Sequence, residues 1–217
     1  MPRRKVRKLK STPRLERHYV ELSQLTPENL LSRLFAHSVA GPDAPVEFEL
    51  GSGKGLFLRN FAARHPERNF LGNEVAPKYA LFAAGQLAQR ELTNAVMIQG
   101  DGLRLLREFL PTESLAAVHV YFPDPWWKAR HKKRRVLTPA SLRDIQRVLL
   151  PGGKLHFWTD VQEYYETSIE LMMSVTQLRG PVPMAEPPAL HDLDYRTHFE
   201  RRTRQAGEPV FRCWFEK

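Results

Sequence analysis

Strand-like and helix-like patterns of apolar residues alternate along the chain from residue 46 onward. Short apolar runs predict buried strands at 46–51, 69–75, 95–99, 115–122 and 154–159, and an alternating segment predicts another strand at 208–215. Helical spacing predicts helices between them, at 55–65, 77–92, 102–110, 138–150 and 160–177. These units predict an α/β fold in which helices cover both faces of a parallel sheet and ligands bind beyond the strands' carboxyl ends.

Three local features refine this outline. Residues 27–39 have the pattern of a short amphipathic helix, and the proline-rich span 181–188 predicts a loop. Asp160 and Glu163 have the spacing of a capping box for the helix that follows. A chain of 217 residues, 42% of them hydrophobic, can bury one sizeable core, which predicts a single domain.

Positive charge is concentrated at the amino terminus. Residues 1–18 carry +7 of the formal net charge of +9, because eight Lys or Arg residues face one acid, Glu16. We therefore predict a flexible basic arm over 1–18 and one folded domain over 19–217. The arm alone fits a solubilising tail as well as a polyanion-binding segment, but a second basic cluster after Trp127 favours nucleic acid. Without a membrane-spanning apolar run or a secretory signal, we expect a cytoplasmic protein with no membrane partner.

Cysteine and histidine give little support for disulfide or metal chemistry. The single cysteine, Cys213, excludes an internal disulfide, and its strand-like surroundings predict a buried thiol. His131 has no second histidine or cysteine at a zinc-like spacing, so we expect no metal and assign His131 a phosphate or structural contact.

The segment 121–135, YFPDPWWKARHKKRR, combines an acid, aromatic rings and a basic run. Asp124 lies between two prolines that end the strand and stiffen the turn, so its carboxylate is presented at the sheet edge. Trp126 and Trp127 offer flat faces on which a base can stack, and the basic run suits phosphates. The segment indicates chemistry on a nucleobase.

Acidic residues follow three successive predicted strands. Glu49 opens the glycine-rich sequence ELGSGKG, whose spacing departs from the dinucleotide fingerprint and is typical of S-adenosylmethionine-dependent methyltransferases. A tight strand-to-helix turn would leave the same pattern. Glu74 could accept the hydroxyls of a ribose or be a solvated strand end. Asp101 could contact an adenine amino group or cap the helix that begins at Gly102. Together the three acids predict a pocket for an adenosine-like ligand.

With these residues in view, the chain resembles the bacterial tRNA (guanine-N7-)-methyltransferases over roughly residues 15–217. The matching strings are ELGSGKG, GNEVAPKY, QGDG, FPDPWWKARHKKRR, WTD and THFERR. The resemblance implies one Rossmann-like class I methyltransferase domain, with a mostly parallel seven-stranded sheet, an antiparallel C-terminal strand and helices on both faces. It also implies methyl transfer from S-adenosylmethionine to guanine N7, at guanosine 46 of the tRNA variable loop.

The resemblance further implies the roles of individual residues. The cofactor-binding set is Glu49, Gly51, Gly53, Glu74, Asp101 and Asp124. The guanosine-binding set is Lys128, Asp160, Thr197 and Glu200. The RNA-backbone set is Arg130, His131, Lys132, Lys133, Arg134 and Arg135. Two residues depart from the family pattern, since Asn73 stands where an apolar residue is expected and Trp127 where many relatives have a more polar one.

The chemistry of guanine N7 limits what the side chains must do. N7 carries a lone pair and no proton at neutral pH, so we expect catalysis by alignment and charge stabilisation, without a general base. Asp124 is the predicted catalytic residue that orients the guanine, and Asp160 either accepts from the guanine or only caps its helix. The competing hypotheses are a methyltransferase for another RNA, an RNA-binding protein without turnover, and a dinucleotide oxidoreductase. The sequence leaves open whether the protein is a monomer or a homodimer.

Overall fold

One open sheet with helices on both sides forms the body of the protein. The computed structural model describes residues 14–126, 130, 134–186, 188–191 and 194–217. The strands are β1 Tyr19–Glu21, β2 Val46–Leu50, β3 Asn69–Glu74, β4 Ala95–Gln99, β5 Leu115–Tyr121, β6 Leu149–Thr159, β7 Arg179–Pro183 and β8 Phe211–Glu216. The helices are α1 Leu30–Leu34, α2 Leu56–Arg64, α3 Pro77–Ala88, α4 Gly102–Arg104, α5 Pro139–Val148, α6 Gln162–Val175 and α7 His198–Gln205. Short 3-10 turns at Leu15–Arg17 and Leu22–Gln24 flank β1, and a π-helical turn, Leu105–Phe109, follows α4.

The strands are arranged in the order β1-β4-β3-β2-β5-β6-β8-β7. Neighbouring pairs from β1 to β6 are parallel, and β8 lies antiparallel between β6 and β7. The strand order reverses between β2 and β5, and ligands of doubly wound sheets bind outside the carboxyl ends at such a point. The predicted α/β class and the antiparallel C-terminal strand are confirmed.

The sheet has eight strands, and not the predicted seven. Strand β1 has only three residues, too few to show an alternating pattern in the sequence. It is stabilised by pairing with β4 at the sheet edge. Strand β7 overlaps the span 181–188, for which we predicted a loop. Its prolines are tolerated because β7 is an edge strand, where a missing N–H disrupts no ladder on the open side.

Successive residues of the central strands point to opposite faces, and each face has its own apolar core. Leu71 of β3 and Ile98 of β4 pack in the core that includes residues of α5 and α6. Their neighbours Phe70 and Met97 pack in the second core, with residues of α2 and α3. Both faces are therefore covered, as predicted. Cys213 is buried in the first core, which confirms the prediction of a buried thiol.

Several helix boundaries differ from the prediction. The helix expected over 27–39 is limited to the five residues of α1, and the helix expected over 102–110 is divided into α4 and a π-helical turn. The capping box of Asp160 and Glu163 is wrong, because Val161 is the residue before α6 and no side chain caps it. Asp160 belongs instead to the polar end of β6.

The last residues of the predicted basic arm are folded, while 1–13 lie outside the described residues. Leu15–Arg17 forms a 3-10 turn. His18 is buried, and its Nδ1 lies 3.0 Å from the carbonyl oxygen of Ala95 at the start of β4. No helix in the described part of the chain is long and apolar enough to cross a membrane.

Candidate active site at the carboxyl edge of the sheet

Five acidic residues lie on five adjacent strands at the carboxyl edge of the sheet. In spatial order they are Asp101 after β4, Glu74 at the end of β3, Glu49 in β2, Asp124 beyond β5 and Asp160 after β6. The sequence predicted each acid separately, and the strand order places them in one row. Such a row offers carboxyl oxygens as acceptors to the donor groups of a ligand bound at this edge.

The glycine loop after β2 leaves open space above the strand ends. Gly51 and Gly53 have φ values of 83° and 55°, in the left-handed region that favours glycine. A Cβ atom on either residue would meet no other atom within 4 Å, so the loop borders a space that a ligand can enter. The loop is held to β3 by Glu74, whose Oε2 accepts a 3.0 Å hydrogen bond from Gly53 N. Glu74 Oε1 accepts a 2.8 Å bond from Ala76 N, so backbone amides fix both oxygens of this carboxylate.

Glu49 is the most unusual acid of the row. Its side chain is 3% exposed, and its Oε2 has no hydrogen-bond partner among the described residues. The pKa of Glu49 is raised to about 8, mainly by burial; the Ser52 hydroxyl opposes the shift and the nearby charge of Glu74 adds to it. A buried carboxyl oxygen without a donor, beside an open glycine loop, fits the ammonium group and the positive sulfur of S-adenosylmethionine.

Asp101 caps the start of α4. Its Oδ1 accepts hydrogen bonds from Leu103 N at 2.9 Å and Arg104 N at 3.3 Å. The capping alternative for this residue is therefore realised, and its contact with an adenine stays a prediction. Asn73 supports the same turn, because its buried amide donates a 2.9 Å bond to the Gly100 carbonyl. This bond explains a polar residue at a position where the family pattern is apolar.

The turn that carries Asp124 is braced by the end of the basic run. Arg135 Nε donates a 2.8 Å hydrogen bond to the Pro125 carbonyl, and the Arg134 guanidinium lies 5.1 Å from the centre of the Trp126 ring. Asp124 itself is exposed. Among the described residues, neither Asp124 nor Asp160 has a hydrogen-bonding or ion-pairing partner for its carboxylate. Both carboxylates are therefore available to accept hydrogen bonds from a ligand.

Part of the predicted RNA-binding run is placed by the structure. Arg130 is exposed, whereas Arg134 and Arg135 fold back onto the Asp124 turn, so these last two arginines also hold that turn. Outside the described residues lie Trp127, Lys128, His131, Lys132 and Lys133. Contact of this run with RNA stays a prediction.

Thr197 and Glu200 define the start of α7. Thr197 Oγ1 accepts a 2.9 Å hydrogen bond from Glu200 N. Glu200 is 0% exposed, and its carboxylate accepts from Arg196 N at 2.6 Å and pairs with Arg204 and Arg212 at 3.2 and 3.3 Å. The structure therefore places both residues in the framework of the helix. Their contact with the guanosine stays a prediction.

A series of side-chain hydrogen bonds near the end of β5 was not predicted from the sequence. Arg196 Nη1 donates to the Tyr121 hydroxyl (2.6 Å), which lies 2.7 Å from His119 Nδ1. His119 Nε2 lies 2.8 Å from Glu47, and Arg68 donates to the other oxygen of Glu47 at 2.6 Å. Burial alone would raise the pKa of Glu47, but the bonds from His119 and Arg68 lower it to about 2. Successive side chains of a strand point to opposite faces of the sheet, so Glu47 and His119 lie on the face away from Phe48 and Val120. This alternation is the sequence signal that could have predicted these hydrogen bonds.

No group of three or more His, Cys, Asp or Glu side chains within the described ranges is arranged to hold a metal ion. The acids of the row are instead spread across five strands, one on each. Their spacing suits an extended organic ligand better than a compact ion.

Comparisons with known proteins agree with this geometry. Residues 43–213 match a family model described as a putative methyltransferase. The tRNA (guanine-N(7)-)-methyltransferase of Rhodopirellula baltica is 46% identical over 198 residues, which cover 88% of this chain and 73% of that protein. The enzyme of the same name from Alcanivorax borkumensis is 38% identical over 183 residues, covering 83% and 75%. The crystal structure of the 16S rRNA methyltransferase KamB has a TM-score of 0.63 at 14% identity, covering 89% and 94%, which shows a shared fold. This chain belongs to the tRNA (guanine-N(7)-)-methyltransferase family.

Proposed function

We propose that this protein transfers a methyl group from S-adenosylmethionine to N7 of guanine in tRNA, at guanosine 46 of the variable loop. The observation that carries the proposal is the pair of open carboxylates, Asp124 and Asp160, beside a pocket whose glycine loop fits the cofactor. Family membership supports the reaction, and the named position within the tRNA rests on the resemblance of the segment 121–135.

S-adenosylmethionine supplies a methyl group that is already activated by a positive sulfur. Glu49 and the backbone of Gly51 and Gly53 would bind its amino-acid end, because a buried carboxylate without a donor is stabilised by a cationic partner. Glu74 would accept from the ribose hydroxyls, and Asp101 would lie at the adenine side of the pocket. The row of acids thus orders the ligand from β4 toward β5.

Asp124 and Asp160 would bind and orient the guanine. A carboxylate accepts hydrogen bonds from N1–H and the exocyclic amino group of guanine, and adenine does not present that pair of donors. Because N7 carries no proton, neither acid needs to remove one. Their negative charge stabilises the positive charge that the purine acquires as the methyl group arrives.

The basic residues would bind the tRNA backbone without reading its sequence. Arg130 to Arg135 continue directly from the Asp124 turn, so phosphates held there place a nucleotide next to the acid row. In the sequence, Lys128 lies between Asp124 and the basic run that begins at Arg130, and it would contact the guanosine or its flanking phosphate. A tRNA-modifying enzyme of this kind acts in the cytoplasm, which is the location we propose.

Methylation with a labelled cofactor tests the proposal. Purified protein is incubated with methyl-labelled S-adenosylmethionine and an unmodified tRNA transcript, and the labelled nucleotide is mapped by nuclease digestion and mass spectrometry. We expect N7-methylguanosine at position 46 and no label in a matched transcript that carries adenine there. Label on another base would refute the proposed substrate, and label on 16S rRNA fragments in preference to tRNA would favour a different RNA.

A further inference from the structure

Helix α7 has two faces of different electrostatic character. On the inner face, Glu200 and Glu186 each pair with both Arg204 and Arg212, so two negative charges match two positive ones. On the outer face, Phe199 is 41% exposed, and the Arg202 guanidinium lies 5.1 Å from the centre of its ring. Among the described residues, no carboxylate lies within ion-pair distance of Arg202. The outer face therefore presents a flat apolar ring beside an unmatched cation.

This outer face lies next to the candidate active site. The Phe199 ring packs on Phe122, with a centroid distance of 5.0 Å and an interplanar angle of 32°. Phe122 precedes Asp124 by two residues, and its φ of 50° turns the chain at the end of β5. Phe122 N donates a 2.8 Å bond to the Trp158 carbonyl, which fixes the ring's backbone to β6. Phe199 is therefore held beside the turn that presents the proposed guanine-binding acid.

More positive charge surrounds the same helix. The pKa of His198, the first residue of α7, is lowered to about 4 by burial and by the charges of Arg201, Arg59, Lys54 and Arg202. Lys54 belongs to the glycine loop and Arg59 to α2, so the positive charge that acts on His198 comes from three elements. Neither Lys54 nor Arg59 has a carboxylate within ion-pair distance in the described part of the chain. A polyanion bound there would be stabilised by several cations at once.

Because RNA recognition in unpaired segments combines base stacking with phosphate contacts, the surface has the two components that a single strand requires. We propose that Phe199 and Arg202, together the α7 platform, form a second tRNA-binding surface. Phe199 stacks an unpaired base next to the methylated guanosine, and Arg202 binds a phosphate beside it. This inference rests on the proposed function and assigns residues that the basic run 130–135 does not include.

Phe199 and the basic run contact the Asp124 turn through different residues. Phe199 packs on Phe122, two residues before Asp124, whereas Arg135 bonds to the carbonyl of Pro125, the residue after it. A nucleotide bound at Asp124 could therefore have a neighbouring contact from each. Two such contacts hold a nucleotide in place more firmly than one, since each fixes part of its backbone.

Substitution of Phe199 tests the stacking part of the proposal. Phe199→Leu keeps apolar packing on Phe122 but removes the flat face, and Phe199→Tyr keeps both. We measure the Kd of an unmodified tRNA transcript at fixed salt, in the presence of the product S-adenosylhomocysteine, together with the thermal unfolding of each variant. Phe199→Leu should weaken tRNA binding by about tenfold while Phe199→Tyr binds as wild type does. Equal affinities for Leu and wild type would overturn the stacking role, as would a loss of affinity that parallels a loss of folding.

Substitution of Arg202 tests the phosphate part. Arg202→Gln should lower the slope of log Kd against log salt by about 0.7, the value for loss of one contact with single-stranded RNA. The matched control is Arg179→Gln, which removes one exposed charge from the edge strand β7 at the other end of the sheet and should leave the slope unchanged. Equal slopes for Arg202→Gln and this control would overturn the phosphate role.

These experiments distinguish a failure of the α7 platform from a failure of the proposed function. If wild-type protein methylates guanosine 46 and the two platform variants retain wild-type Kd and KM for tRNA, only the α7 platform is refuted. If wild-type protein methylates no tRNA guanine, the proposed function fails. In both cases the affinity of the variants for S-adenosylhomocysteine should match wild type within about twofold, because the variants leave the acid row intact.

Discussion

The Tyr121 hydroxyl and the Arg196 guanidinium, 75 positions apart in the chain, are joined by a 2.6 Å hydrogen bond in the interior. Arginine can only donate, so the Tyr121 oxygen accepts from it and its own proton points to His119 Nδ1. His119 Nε2–H then donates to Glu47. Arg196 and Arg68 are the donors at the two ends of this series of hydrogen bonds. Because neither can accept, they determine the direction of every bond between them.

Removing the hydroxyl of Tyr121 should destabilise the fold. Tyr121→Phe keeps the ring packing but leaves buried groups of His119 and Arg196 without a partner, which costs about 1–3 kcal/mol in the free energy of unfolding. Urea unfolding at pH 7 measures the change. Tyr165→Phe is the matched control, because its hydroxyl makes only a long bond of 3.4 Å to the Arg212 carbonyl and a weak one to the Cys213 thiol, so this variant should lose less. Equal losses in the two variants would contradict a special role for the Tyr121 bond.

Histidine burial should make the protein sensitive to acid. The pKa of His156 is lowered to about 2, mainly by burial and next by the stacked ring of His119. The unfolded state takes up a proton near pH 6.5 that the folded state does not, so stability should fall as pH decreases below 6.5. His156→Leu should reduce that slope by up to about 1.4 kcal/mol per pH unit between pH 4 and 6. Denaturant unfolding at several pH values measures it, and parallel slopes would contradict the prediction.

Glu49 should link pH to cofactor binding. Its pKa of about 8 lies above the unfolded value, so the stability it contributes is present below pH 4.5 and is lost as pH rises through 8. A cationic ligand prefers the ionised carboxylate, so wild-type affinity for S-adenosylmethionine should rise from pH 6 to pH 8 more steeply than that of Glu49→Gln. Isothermal titration at these pH values measures both. If Glu49→Gln bound as tightly as wild type at pH 8, the predicted contact would be absent.

Asp124→Asn should separate turnover from cofactor binding. The amide keeps the shape of the side chain but loses the charge that stabilises the methylated purine, so kcat should fall by about 100-fold or more. The Kd of S-adenosylmethionine should stay within about threefold, because the proposed contacts of Glu49 and Glu74 are untouched. Single-turnover methylation and titration measure the two quantities. Asp144→Asn, a partly buried carboxylate of α5 that pairs with Arg147, is the control and should leave both unchanged. Wild-type turnover of Asp124→Asn would refute the catalytic assignment.

Arg135→Lys should impair the Asp124 turn while preserving charge. Lysine cannot reproduce the 2.8 Å bond from Nε to the Pro125 carbonyl together with the guanidinium's position 4.8 Å from the Tyr164 ring. The kcat should fall about tenfold or more while the salt dependence of tRNA binding is retained, because the number of cations is the same. Arg130→Lys, at an exposed position, is the control. A change in salt slope with wild-type kcat would show that Arg135 acts on the RNA backbone alone.

The sequence predicted the acids that end strands better than the contacts between distant residues. Glu49, Glu74 and Asp101 follow apolar runs, and a parallel sheet brings such positions to one edge, so local pattern was sufficient. The bond between Tyr121 and Arg196 has no local signature, since it depends on how the segment before α7 packs on β5. Tertiary pairing likewise explains why β1 was missed.

Thr197 and Glu200 illustrate a different limit. Their spacing is that of a helix start with an acid at the third position, and in the structure Thr197 caps α7, which the sequence analysis did not predict. The resemblance to a family assigned the same two residues to substrate. The same two residues can cap a helix and contact the substrate only if that helix lies beside the candidate active site. Phe199 of α7 contacts Phe122, two residues before Asp124, so this condition is met.

The pairing of β1 with β4 determines where the described chain enters the sheet. Because the two strands are parallel and His18 bonds to the start of β4, residue 14 lies toward the amino edge of the sheet, opposite the acid row. The five residues of β4 alone put about 17 Å between these two edges. The first described residues and the acid row therefore face opposite ends of the strands, so an RNA that contacted both would have to cross one flank of the sheet.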